Sequence, residues 1–113
     1  MSEVKNYMKN EYFNFVIEIN KNNIFKPFLE KSYSLELLFF LYENTNFSGI
    51  ESLYHQLQFP KVKLASFRVY IYYLNDKNCL MIEDNPIILR EKTVKLSSEV
   101  FLELDALVNF FKE

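Results

Sequence analysis

Side chains able to do chemistry are gathered in one part of this chain. Between positions 60 and 95 lie Lys61, Lys63, Ser66, Arg68 and Tyr70, followed by Arg90, Lys92 and Lys95. Ammonium, guanidinium and hydroxyl donors at this density suit a polyanion, because cations neutralise backbone phosphates and hydroxyls donate to phosphates or base edges. The segment holds seven cations against four anions, a net +3, while the remainder holds six against eleven, a net −5. The overall charge of −2 argues mildly against a protein that lives on nucleic acid. Its distribution argues the other way, since the only basic surface falls on one short segment.

Other chemistries find few residues. His55 is the single histidine and Cys79 the single cysteine, with no second ligand at zinc-binding spacing, so no metal and no cofactor are expected. His55 reads as a polar helix residue, and Cys79 as a small strand residue rather than a redox-sensing thiol. One histidine and one glycine cannot supply a nucleophile triad or a phosphate-cradling loop. Glu83-Asp84 and Glu103-Asp105 read as solvated charges, and no enzyme is expected.

The basic segment needs elements to hold it. From Pro60, apolar residues recur at Leu64, Phe67, Ile71 and Leu74, one buried face of a helix. Beyond the turn-like Asn75-Asp76-Lys77-Asn78 the period falls towards two. This predicts a ribbon with outgoing strand Leu80 to Glu83, tip Asp84 to Arg90 and returning strand Glu91 to Leu96. A shorter helix through Ile50, Leu53, Tyr54 and Leu57 precedes Pro60. The order is helix, turn, longer helix, two-stranded ribbon: a winged helix-turn-helix in outline, with the corner at about 48–78 and the wing at about 79–96. On the long helix Val62, Ala65, Val69 and Tyr73 oppose the buried face. Lys61 and Arg68 flank them on one side, Lys63 and Lys77 on the other. These cations could grip phosphates, with Ser66 and Tyr70 as donors and Val62 or Ala65 against a thymine methyl. Such an apolar face could equally be covered by another protein.

Around this centre the chain reads as helical. Val4, Met8, Tyr12, Phe15 and Ile19 predict a first helix over roughly 3–20, broad in its apolar surface, with Tyr7 and Phe13 beside the stripe. Ser34 reads as the N-cap of a central helix, Glu36 sits in its first turn, and the residues from Leu35 to Tyr42 are apolar on almost every side. Ser97 reads as the cap of a last helix, about 97–112, showing Val100, Leu104, Leu107, Val108 and Phe111 on one face, with Phe101 and Phe110 broadening it. First and last helices would pair within one subunit or across a two-fold axis.

At 113 residues and 50% apolar content, one domain over 1–113 is expected, mainly α with a small β-ribbon. Twelve Phe and eight Tyr could reflect a thick core, a subunit interface or codon bias. The N-terminus has no signal-peptide character and the longest apolar run, Leu37 to Tyr42, is far too short to span a bilayer; a cytoplasmic protein without membrane contact is expected.

Three stretches resemble the MarR superfamily of winged-helix regulators, and within it the small staphylococcal SarA-type proteins. Ser34-Leu35-Glu36 through Tyr42-Glu43-Asn44 is similar to the helix before the helix-turn-helix. Phe59 through Leu74 to Leu80 is similar to the recognition helix and its exit. Glu91-Lys92-Thr93-Val94 resembles the family's Asp-Glu-Arg-Thr-Val wing motif, with Arg90 where the family has Asp and Lys92 where it has Arg. The resemblance implies a homodimer joined by the first and last helices, here Tyr7, Tyr12, Phe15, Leu104, Val108 and Phe111. It also implies binding to double-stranded DNA through Lys61, Lys63, Ser66, Arg68, Tyr70, Arg90, Lys92 and Lys95. Two other readings stay open: a protein-interaction or accessory module of a mobile element or a replication or partition system, and a repressor with a small-molecule effector.

Overall fold

A computed structural model describes residues 4–57, 62–85, 87 and 91–112, apart from the side chains of Tyr7 and Lys9. Among these residues six helices and three short strands follow in the order α1 (Val4–Met8), α2 (Tyr12–Lys21), α3 (Ser34–Glu43), β1 (Phe47–Ser48), α4 (Ile50–Gln56), α5 (Leu64–Asp76), β2 (Leu80–Asp84), β3 (Lys92–Leu96) and α6 (Ser98–Phe111). Single 3-10 segments, Lys9–Glu11 and Asn23–Leu29, link the early helices. No described helix is long and apolar enough to cross a membrane.

The expected elements are present, with three changes. The first helix is two, α1 and α2, because Lys9–Glu11 tightens to a 3-10 turn. The ribbon is a three-stranded antiparallel sheet in the order β1-β3-β2. Phe47 pairs with Val94 and Ser48 with Thr93, so Ser48 belongs to a strand and not to the helix after it. Gly49, at φ 92°, allows the chain to leave β1 for α4 while its N–H donates to the Lys92 carbonyl at 2.8 Å. The third change concerns Ser34. It does not cap α3: its Oγ accepts from the Lys31 N–H at 2.9 Å and meets the Tyr70 hydroxyl at 2.8 Å, fully buried. By contrast Ser97 does cap α6, accepting from the Val100 N–H at 3.3 Å.

One core runs through the molecule. At one end Phe15 of α2 touches Phe39 of α3 and Phe111 of α6, ring centroids 5.6 and 6.0 Å apart. At the other, Phe67 of α5 lies 5.7 Å from the Tyr33 ring and 5.4 Å from the Tyr54 ring. Leu80, Val94 and Leu96 bring the inner face of the sheet onto the same cluster. Among the described residues six phenylalanines of the chain's twelve are buried there, so much of the aromatic excess is core.

That packing corrects the expected dimer contacts. Phe15, Leu104 and Val108 are 0–2% exposed because α2 and α6 pair within one chain, which leaves these three nothing to offer a partner. Tyr12 and Phe111 are half-buried, and the side chain of Tyr7 lies outside the described residues. The aromatics that α2 and α6 leave in solvent are Phe13 and Phe110.

Burial also sets a pH response. Desolvation, the largest influence, raises the Tyr70 phenol well above the ordinary value of 10.0, and burial raises Tyr12 and Tyr33 as well. In the unfolded chain these phenols ionise near pH 10, whereas the folded protein keeps their protons. Stability is therefore complete below that pH and falls as pH rises past it. Tyr70→Phe, which strands the Pro27 carbonyl, is expected to cost about 1–2 kcal/mol in urea unfolding at neutral pH and to flatten the alkaline loss. An unchanged midpoint with an unchanged alkaline slope would show that the hydroxyl contributes neither.

Candidate nucleic-acid interface

The corner formed by α4 and α5 is held from both helices. Ile50, Leu53 and Leu57 of the shorter helix and its exit enter the core. Its Tyr54 donates to the Val62 carbonyl at 2.6 Å just before α5 begins. Helix α5 starts at Leu64 with Lys63 in the N-cap position, and Pro60 and Lys61 lie outside the described residues. The expected buried face is borne out: Phe67, Ile71 and Leu74 are fully buried and Leu64 half so.

Tyr70 joins that buried face, which corrects its expected role as a surface donor. At 3% exposure its hydroxyl donates to the Pro27 carbonyl and accepts from Ser34, leaving no proton for a ligand. One turn on, Tyr73 is half-buried and donates to the Glu30 carboxylate, so the solvent side of the helix is not centred on it. The solvent stripe runs Ala65, Val69, Tyr72, Asp76, at four-, three- and four-residue steps. Val69 is 71% and Tyr72 44% exposed. Tyr72 was not expected there; the period centred opposite Phe67, Ile71 and Leu74 carries it.

The cations divide into two groups. Lys63 and Arg68 are exposed, and among the described residues neither has a carboxylate partner within ion-pair distance. Ser66 is exposed beside them. Lys92 and Lys95 are engaged. Register places Asp84 opposite Lys92, and the two form an ion pair and hydrogen bond that lowers the Asp84 carboxyl and raises the Lys92 ammonium. Lys95 reaches diagonally to Glu83 at 3.0 Å. Among the described residues, both lysines of the expected basic wing are therefore paired by its own outgoing strand. Arg90 lies outside the described residues.

The base of the wing is fastened by polar contacts. Ser48 donates to the Glu91 carboxylate at 2.6 Å, and the Asn85 amide donates to Ser48 at 2.9 Å. Glu91 thus holds β1 to the wing. Beside α5 a shallow groove of about 410 Å³ is lined by Glu30, Lys31, Ser66, Val69, Tyr70 and Tyr73.

His55 is exposed, and the buried Cys79 thiol is raised by desolvation, a poor setting for a reactive thiolate. No group of three His, Cys, Asp or Glu among the described residues could hold a metal ion.

No family model matches the chain, and no curated protein matches it. Solved structures do. It is similar to a mutant of MepR from S. aureus, with a TM-score of 0.59 and 14% identity over 91% of this chain and 76% of that one. It is similar also to a protein from Bacillus cereus ATCC 10987 described as a MarR-like transcription regulator, with a TM-score of 0.56 and 17% identity over 96% and 76%. A mutant of MarR from E. coli, solved in complex with operator DNA, gives a TM-score of 0.54 and 16% identity over 95% and 79%. At such identities the likeness is one of fold, and the chain has the MarR-type winged-helix fold.

Proposed function

We propose that this protein is a dimeric transcription regulator that binds double-stranded DNA sequence-specifically, with no catalytic activity, in the cytoplasm. One observation carries the reading: in a winged-helix corner, the exposed side of the second helix bears Lys63, Ser66 and Arg68 with both cations unpaired among the described residues. The N-terminal half of that helix is the part a helix-turn-helix presents to the major groove, and free cations there can neutralise phosphates on either side. The operator complex of the similar MarR structure supports the same use of the fold. Exposed Phe13 and Phe110 on α2 and α6 support a second copy packing on those helices.

A second reading has its own support. Net charge −2, paired lysines on the wing and the exposed Val69 and Tyr72 would also suit a protein partner on α5.

Titration of a randomised duplex library at several salt concentrations, with the oligomeric state recorded in the same samples, separates the two. Lys63→Ala with Arg68→Ala is expected to weaken binding and reduce the salt slope by about two, roughly 0.9 for each phosphate no longer neutralised. An unchanged slope would remove both residues from the interface. Glu83→Gln with Asp84→Asn releases the wing lysines, and binding should tighten with a steeper slope. Equal affinity before and after would show that the wing stays clear of the phosphates.

A further inference from the structure

Val69 is the most exposed large apolar side chain of α5 among the described residues. It sits mid-stripe, with Ala65 one turn before it and Tyr72 one turn after, and with Arg68 and Ser66 at its flanks. A lone exposed valine on a helix needs no explanation. One centred on the face that cations bracket is different, because the surface it meets must be anionic at its edges and apolar at one point within.

The major groove offers such a surface. Phosphates border it, and the apolar group it presents among its donors and acceptors is the 5-methyl of thymine. Valine has only two methyls beyond Cβ, so the backbone must come close for it to touch a base edge. Ala65 permits that approach, adding a single methyl on the side that would enter first. Val62, expected in this role, is half-buried ahead of the helix.

We infer that Val69, with Ala65 beside it, reads a thymine 5-methyl group in the major groove and is a specificity-determining residue of this protein. The inference rests on the DNA-binding reading and deepens it: Lys63 and Arg68 fix the register on phosphates, and Val69 supplies selection by apolar contact. The base selected is thymine over cytosine, which carries hydrogen in place of the 5-methyl and so offers valine no apolar group to contact.

The test uses the full-length protein and duplexes selected from a randomised library. Each is prepared once with thymine and once with deoxyuridine, which lacks only the methyl. Removing the methyl should weaken binding about fourfold for each methyl buried. Val69→Ala, an exposed substitution that leaves the fold intact, should lose affinity for the thymine duplex while matching wild type on the uracil duplex. If wild type binds both duplexes equally, or if Val69→Ala keeps the full thymine preference, the inference is overturned while the regulator reading stands. If the folded protein selects no duplex from the library at low salt, both are overturned.

Discussion

Which side chains α5 presents to solvent depends on how that helix is fastened, and the fastening is a buried hydroxyl. Tyr70 joins the helix to the Pro27 carbonyl and to Ser34, whose own Oγ closes the turn at Lys31. A buried polar group without partners is costly, so this node admits one rotation of the helix about its axis. With Tyr70 inward, Phe67, Ile71 and Leu74 follow it into the core, and Ala65, Val69 and Tyr72 must face solvent. Tyr54 against Val62 sets the start of the helix, and Asn78, at φ 61°, ends it and turns the chain into β2.

The electrostatics follow from the sheet register. Pairing β2 with β3 sets Asp84 against Lys92 and leaves Glu83 diagonal to Lys95, so the two wing lysines that looked available are satisfied across the strands. Exposed pairs of this kind add little stability. Their effect is on charge distribution: among the described residues Lys92 and Lys95 are paired with carboxylates, while Lys63 and Arg68 are not. In a protein of net charge −2, this leaves Lys63 and Arg68 as candidate cations of the corner without a carboxylate partner among the described residues.

What the sequence made legible was what repeats locally. The three-and-four spacing of Leu64, Phe67, Ile71 and Leu74 marked the buried side of α5, and Ser97 marked the start of α6. Partnerships set by distant chain segments stayed hidden. Ser34 followed by Glu36 looks like a helix cap, yet its hydroxyl serves a residue 36 positions away. Tyr70 could be surface donor or core anchor on spacing alone, and a two-residue strand such as β1 is too short to show a period. Phe15, Leu104 and Val108 were expected to face a second copy, but two helices of one chain bury them against each other, which apolar spacing alone does not reveal.

The most direct test of this account is amide chemical-shift mapping of the full-length protein against a duplex selected from a randomised library. If α5 is the reading element, the large changes will fall on Lys63, Ala65, Arg68 and Val69, with little on Met81 to Glu83 or on α2 and α6. Changes confined to the wing or to the first and last helices, with Ala65 to Val69 undisturbed, would contradict it.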